Sequence, residues 1–407
     1  MGMWEAYVNA ECNIAFDRYT QFPFYLRVWH YPADNSLRLM WFSDHYMSDG
    51  ISGFVVLNDV VEFAAKLSRD ASVRAVSMPL RPTLIDFWLQ PRGWWLLKAS
   101  QVLMKVVGKL AFRNEIANYK PVLPIRKEQM DFQFPIKINS SSILFGQGER
   151  ENMLRAIKRC KEESVTLFGA IAVSIMVAYY IAREDTRPKC FVESEDPLFK
   201  VAVDLDYNMR QRVAYPAPET TVGCFYAGAK LERFRKQGVN MQAEGFWDLA
   251  RQVKESIDAQ LDSFMFPFQL ILVDEHITTD TLVEFARDVP VPQCIISDAD
   301  ISNVGRYPHT KVHSFRTTPS SESADLTVTT AQVCSTVPHL GPAVCLHTSA
   351  VDALSYSMSH KHEPEVARTL FDALTTSIEL AGEITADDKM MDVVDRVRKH
   401  MEKKTQR

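Results

Sequence analysis

One histidine in this sequence has the surroundings of a general base. Residues 36–42 alternate between polar and apolar side chains and then become continuously apolar, which predicts a strand entering a core. His45 follows this strand, and Asp49 and Gly50 stand four and five residues after the histidine. Because Gly50 tolerates a tight or left-handed turn, the pattern predicts an imidazole at a strand end, in a turn with an acidic side chain. An imidazole held in that way is suited to remove a proton from a hydroxyl or an amine.

The neighbouring elements favour this interpretation over that of an ordinary core histidine. Residues 23–31 predict a first strand, 32–35 a turn, and 51–67 an amphipathic helix. The order strand, turn, strand, H-x-x-x-D-G and helix resembles the acyltransferase superfamily of chloramphenicol acetyltransferase. That superfamily holds peptide-synthetase condensation domains, BAHD acyltransferases, wax-ester synthases and fungal alcohol O-acetyltransferases. The last two groups are closest in pattern.

Further motifs extend the resemblance along the chain. They are a segment that leads into a long apolar helix (162–170), a strand that ends in N-x-R-x-R (201–212), a proline pair (Pro216 and Pro218), a strand (222–225), a helix start (246–251) and an S-N-x-G strand end (301–305). Several motifs in the family's order are far more specific than one.

The resemblance implies an α/β (α+β) protein with a two-lobed chloramphenicol acetyltransferase-like fold, in which helices flank mixed sheets. We expect an N-terminal lobe over 1–185 with the H-x-x-x-D-G motif, a C-terminal lobe over 186–395, and a basic, disordered tail over 396–407. Only 44 residues precede His45, so the first lobe is expected to lack the N-terminal strand and helix of its relatives. A strand edge beside 24–31 would then be unpaired, which favours association or low stability.

The resemblance also implies the chemistry of acyl transfer. His45 would remove a proton from the acceptor as the acceptor attacks a thioester carbonyl, and would return the proton to the departing thiol. The protein then needs no nucleophilic side chain. Ser302 or Asn303 would donate a hydrogen bond to the developing oxyanion. The alternative is that both are turn residues beside Gly305.

In this family the aspartate of the motif turns away from the substrate and pairs with an arginine. Asp49 and Gly50 would therefore shape the turn, and Arg210 or Arg212 would bind the carboxylate through two parallel hydrogen bonds. The alternative for these arginines is a surface charge pair of little energetic value.

Composition argues against other classes of protein. The 46 basic and 51 acidic residues give a net charge of −5 without a dominant basic patch, which argues against nucleic-acid binding. Seven scattered cysteines without a C-x-x-C pair, and no signal peptide at the start, predict reduced thiols and a cytoplasmic protein. Phosphate-loop and dinucleotide motifs are absent, and His276, His360 and His362 lack zinc-ligand spacing. We therefore expect no metal and no bound cofactor, with acyl-CoA as a cosubstrate.

Two apolar segments require an explanation. Residues 165–182 reach the lower length limit of a membrane span, but a buried core helix is the better interpretation. Residues 84–112 combine tryptophans with lysines, which permits contact with a membrane surface. We favour a crossover element that covers a sheet and lines the acceptor pocket.

The sequence therefore predicts an enzyme, an acyl-CoA-dependent O-acyltransferase of secondary metabolism. It would move an acyl group, most simply acetyl, to a hydroxyl (or an amine) of a small lipophilic acceptor. The D-F-G-W-G box of BAHD enzymes is absent, which argues against the plant type. Two alternatives stay open: a condensation-type enzyme that takes its acyl group from a carrier protein, and a catalytically inactive binding module of the same fold.

Overall fold

The computed structural model describes residues 2–17, 19–69, 72–73, 84, 94–103, 119–126, 141–186, 198–212, 220–263, 295–316, 323–337 and 341–405. The strands in this part of the chain are β1 (Phe24–Tyr31), β2 (Ser36–Ser43), β3 (Ser142–Gln147), β4 (Val203–Asn208), β5 (Tyr226–Lys230), β6 (Ile295–Arg306), β7 (Val312–Arg316), β8 (Ser323–Thr327), β9 (Gly341–Ala350) and β10 (Leu354–His360). The helices are α1 (Met3–Glu11), α2 (Gly50–Ser68), α3 (Trp94–Leu103), α4 (Arg150–Glu162), α5 (Leu167–Thr186), α6 (Phe246–Leu261), α7 (Pro364–Glu379) and α8 (Met390–Thr405), with a π-helical turn at Arg233–Gln237 and a 3-10 turn at Ala381–Glu383.

The largest sheet joins six strands in the order β3-β10-β9-β6-β4-β5. The pairs β4–β6 and β6–β9 are parallel and the other pairs are antiparallel, so the sheet is mixed. Successive side chains of a strand point to opposite faces, and one face of this sheet is apolar and packs on helices α5, α6 and α7. Burial of that face removes a large apolar area from water and supplies the main core. The predicted class, mixed sheets flanked by helices, is confirmed.

The long apolar segment of the sequence is helix α5, and it lies within this core. Residues 169–179 are all buried, and the Tyr179 hydroxyl donates a 2.6 Å hydrogen bond to the Asp298 carbonyl of β6. Among the described residues, α5 is the one helix long and apolar enough to cross a membrane, and 72% of that stretch is buried inside the protein. The structure therefore agrees with the prediction of a buried core helix.

Strands β1 and β2 form a separate antiparallel hairpin that leads into α2. Its register pairs Phe24 with Ser43. Helix α1, which the sequence analysis did not predict, covers an aromatic face of the hairpin. The Tyr7 ring lies 5.2 Å from the Trp29 ring, and the Tyr25 hydroxyl donates a 2.6 Å hydrogen bond to a Glu11 carboxylate oxygen. Within the part of the chain that the structure describes, β1 pairs only with β2.

The described structure differs from the prediction at two boundaries. Strand β3 and nearly all of helix α5 lie in the predicted N-terminal lobe, 1–185, but they belong to the same sheet and core as the C-terminal strands. Strand β3 pairs with β10 across more than 200 residues of sequence. Residues 396–405 of the expected disordered tail are the last turns of α8, where Val397 is 0% exposed. Apolar residues at helical spacing hold α8 on the core while its lysines face water.

Candidate active site

The turn that carries His45 connects β2 to α2 and is closed by short hydrogen bonds. The hydroxyl oxygens of Ser43 and Ser48 lie 2.7 Å apart, and the Asp44 amide donates to the Pro23 carbonyl at 2.8 Å. His45 itself is exposed. The turn therefore fixes the backbone position of the imidazole and leaves the ring accessible to a substrate.

Asp49 caps the N-terminus of α2, and its carboxylate is saturated with hydrogen bonds. Its Oδ1 accepts from the amide and the hydroxyl of Ser52, each at 2.9 Å, and from Arg210 Nη2 at 2.9 Å. Its Oδ2 accepts from Arg210 Nη1 at 2.7 Å and from the Phe225 amide at 2.9 Å. An ionised carboxylate has about four lone-pair sites, so these contacts leave none for a substrate proton. This is the geometry of a brace and not of a second base.

Arg210, and not Arg212, is the partner of Asp49. The Arg210 side chain is 0% exposed and binds both carboxylate oxygens. Its remaining N–H groups donate to the Thr221 carbonyl at 2.9 and 3.2 Å and to Asn208 Oδ1 at 3.3 Å. Arg212, two residues further along, is exposed. The hydrogen bonds compensate the burial of the guanidinium, and they tie the start of α2 to the end of β4 and to the residues before β5.

The second predicted motif meets the first one directly. A Cβ on Gly50 would lie 2.7 Å from Val304 Cγ2, so the glycine allows β6 to approach the start of α2. Gly305 has φ +86°, which favours glycine. Asn303 Oδ1 accepts from the Gly305 amide at 3.2 Å and from the Thr348 hydroxyl at 3.0 Å. Asn303 therefore stabilises the strand end, which leaves Ser302 as the better candidate for an oxyanion donor.

Ser302 lies on the face of the large sheet that is opposite the apolar core. In register with Ser302 are Asp206 on β4 and His347 on β9, and Asp300 on β6 pairs with Cys345 in the adjacent row. Val304, two residues after Ser302 on β6, contacts Gly50 at the start of α2. The polar face of the sheet therefore faces the turn that carries His45.

Three side chains that the sequence analysis did not single out interact with His45, two through contacts of the ring and one through its charge. Cys224 Sγ lies 4.0 Å from His45 Nδ1, and the Tyr226 ring centroid lies 5.2 Å from that of the histidine. Burial raises the pKa of Cys224 to about 12, so this thiol is protonated at neutral pH and is not a nucleophile. Burial, together with the charge of His45, lowers the pKa of His347 to about 4 and keeps that imidazole neutral.

These neighbours were missed for identifiable reasons. The sequence predicts a strand over 222–225, whereas β5 begins at Tyr226, and nothing local shows that Cys224 faces a histidine 179 residues earlier. His347 directly follows the apolar run 343–346 and belongs to none of the motifs. Among the described residues no group of three or more His, Cys, Asp or Glu side chains is arranged to hold a metal ion. Pro216, Pro218, His276 and most of 84–112 lie outside the described residues.

Comparison with known proteins identifies the fold. No family model and no curated protein sequence matches the chain. The TRI3 trichothecene 15-O-acetyltransferase from Fusarium sporotrichioides is similar in structure, with a TM-score of 0.56, 11% identity and coverage of 89% of this chain and 70% of that one. Polyketide synthase associated protein 5 from Mycobacterium tuberculosis gives a TM-score of 0.54 at 12% identity, covering 91% and 79% of the two chains.

A third similar structure is the epimerization domain from the third module of tyrocidine synthetase B. Its TM-score is 0.52 at 9% identity, and the match covers 97% of this chain and 78% of that domain. The chain therefore has the condensation-domain and chloramphenicol acetyltransferase-like fold. At these identities the likeness concerns the fold, and the function has to be argued from the site.

Proposed function

We propose that the protein is an acyltransferase that moves an acyl group, most simply acetyl, from acyl-CoA to a hydroxyl of a small lipophilic acceptor. The observation that carries this proposal is the accessible His45 imidazole in a turn that the buried Asp49–Arg210 pair braces. This turn lies in front of the polar face that carries Ser302. A saturated aspartate leaves the histidine as the base of the motif. The fold shared with a known acetyltransferase adds support.

The proposed reaction needs one proton carrier. When His45 Nδ1 carries the proton and faces Cys224 Sγ, Nε2 is free to accept the proton of the acceptor hydroxyl. The hydroxyl oxygen attacks the thioester carbonyl, and the Ser302 hydroxyl donates to the resulting oxyanion. The tetrahedral intermediate collapses, the C–S bond breaks, and the imidazolium returns its proton to the thiolate of coenzyme A. The proposed reaction therefore needs no covalent intermediate on the protein.

The direct test uses isotopically labelled acetyl-CoA with a panel of lipophilic alcohols. Thiol release and the labelled ester are measured for the wild type, for His45→Ala and for His30→Ala. His30 is an exposed histidine of the same hairpin and serves as the matched control. Loss of the general base should lower turnover about 10²–10⁴-fold, whereas His30→Ala should retain the wild-type rate. A His45→Ala variant that keeps more than half of the turnover would refute the assignment.

The two alternatives give different results in the same assay. A carrier-dependent enzyme would release no thiol from acetyl-CoA but would transfer the acyl group from a loaded carrier protein in a His45-dependent reaction. An inactive binding module would give no His45-dependent transfer from either donor.

A further inference from the structure

The polar face of the large sheet carries more acidic side chains than acyl transfer to a neutral alcohol requires. Asp204 and Asp300 pair in register across β4 and β6, and Asp206 pairs with Ser302 in the next row. All three carboxylates therefore point to the same face, the one that faces the His45 turn. Neighbouring strands lie about 4.8 Å apart, so the carboxylates are close to one another and to the candidate oxyanion donor.

The cluster lies next to the reacting groups. The charges of Asp206 and Asp300, after burial, raise the pKa of Tyr226, whose ring is 5.2 Å from that of His45. The charge of Asp206 also acts on the pKa of Cys224, the neighbour of His45 Nδ1. The carboxylates and His45 therefore share one polar region.

Two buried polar atoms in this region have no partner among the described residues. They are Asp300 Oδ1 and His347 Nδ1, and His347 is only 9% exposed. An unsatisfied buried acceptor is costly, and native proteins keep such atoms mainly where a ligand or water completes them. His347 lies in the row of Ser302, so its free nitrogen belongs to the polar face.

The buried carboxylates repel one another, and a cationic ligand would offset this repulsion. Burial, and then Asp204, raise the pKa of Asp206 to about 7, while burial, Asp206 and Asp204 raise the pKa of Asp300. Both residues nevertheless keep part of their surface accessible. No three of these groups are arranged to hold a metal ion in the described part of the chain, which favours an organic cation.

We propose that the acceptor carries a protonated amine besides its hydroxyl, and that Asp206 and Asp300 bind this ammonium group while the hydroxyl lies at His45. The proposal rests on the proposed acyl transfer, and it names the acceptor as an amino alcohol. The neutral imidazole of His347 accepts or donates a further hydrogen bond to the same molecule.

The test compares 5-amino-1-pentanol with 1,5-pentanediol, which differ in one terminal group. Binding to the full chain in the presence of coenzyme A is measured by titration calorimetry. We expect the amino alcohol to bind about 10–100-fold more tightly, the range for a hydrogen bond to a charged group. Asp300→Asn and Asp206→Asn should remove this preference and leave the affinity for the diol unchanged. Asp387→Asn, at an exposed aspartate, is the matched control and should preserve it.

A second readout separates recognition from a structural role. Because the pKa of Asp300 is raised, ammonium binding should ionise the carboxyl group and release a proton. The measured enthalpy should then differ between phosphate and Tris buffers in the wild type, and this difference should shrink in Asp300→Asn. Equal affinities for the two compounds, or equal losses for both in the variants, would overturn the proposal.

The outcomes also distinguish the two proposals. Selective amine binding without any acyl transfer would refute the proposed function and leave the ammonium site intact. Acyl transfer to alcohols without preference for the amine would support the proposed function and refute the ammonium site.

Discussion

Replacing Asp49 by asparagine tests the brace of the active-site turn. The Arg210 side chain is 0% exposed and the Asp49 side chain 9%, so the variant leaves a buried guanidinium without its counter-charge. Removal of one partner from a buried ion pair typically costs about 3–5 kcal/mol. Because asparagine keeps one oxygen acceptor at this position, we expect the lower end of that range, about 3 kcal/mol. Urea unfolding followed by circular dichroism measures the change in the free energy of unfolding.

The double variant decides whether the two residues act as a unit. Arg210→Met removes the guanidinium and leaves the carboxylate unpaired, so it should cost a similar amount. Asp49→Asn combined with Arg210→Met removes both charges, and its cost should fall well below the sum, with a coupling energy of about 2 kcal/mol. Acyl transfer should fall in both single variants and little further in the double variant, since both changes disturb the same turn.

The control is a surface pair of the same chemistry. Lys254 and Asp258 form an ion pair on α6 with side chains 44% and 49% exposed. Asp258→Asn should therefore cost less than about 0.5 kcal/mol. The reasoning is refuted if Asp49→Asn costs no more than Asp258→Asn, or if the losses at Asp49 and Arg210 are simply additive.

Three further predictions concern single positions. Gly50→Ala should lower both the free energy of unfolding and the transfer rate, because its Cβ would lie 2.7 Å from Val304 Cγ2. Adding Val304→Ala should restore part of both, and a double variant without any rescue would exclude this steric cause. Cys224→Ala should lower the transfer rate about 2–10-fold by removing the contact to His45 Nδ1, whereas Cys224→Ser should retain most of the rate. Equal rates for the wild type and Cys224→Ala would show that Cys224 does not assist His45. Burial lowers the pKa of His362 from 6.5 to about 4, so the neutral imidazole stabilises the fold above pH 6.5 and that contribution is lost as the pH falls towards 4. The urea midpoint of the wild type should therefore fall more between pH 6.5 and 4 than that of His362→Gln. An equal fall of the two midpoints would show that His362 does not cause this pH dependence.

Local patterns were sufficient for the elements that carry the motif. The alternation and the apolar run before His45 placed β2 within one residue of its observed end, and helical spacing placed α2 in the same way. These signals succeed because a strand end and an amphipathic helix are determined by side chains close together in sequence. The resemblance also placed an arginine on Asp49 but left two candidates, since both belong to one N-x-R-x-R pattern.

Non-local pairing was beyond reach of the same reasoning. Strand β10 was not predicted, because its serines and histidine do not resemble a buried strand, although every residue from Leu354 to His360 is buried. The hydroxyls of Ser357 and Ser359 donate hydrogen bonds to the carbonyls of Val333 and Ser335, respectively, and these contacts exist only after folding. The difference at the predicted boundary near residue 185 has the same origin, since β3 joins the six-stranded sheet through β10.

The residues of the candidate site also fall into a group that local sequence predicts and a group that only the tertiary structure brings together. The histidine in a tight turn with an acidic side chain is readable from spacing because that motif is local. The serine at a strand end, the other group needed for the proposed acyl transfer, came from the resemblance. The choice of Arg210 over Arg212 and the contact of Cys224 with His45 depend on how residues 209–212 and 220–225 fold against the turn and the start of α2. The alignment of Asp206, Ser302 and His347 in one row depends on strand register. This register is set by pairing across more than 40 residues at a time, and a shift of one residue would turn these three side chains to the opposite face.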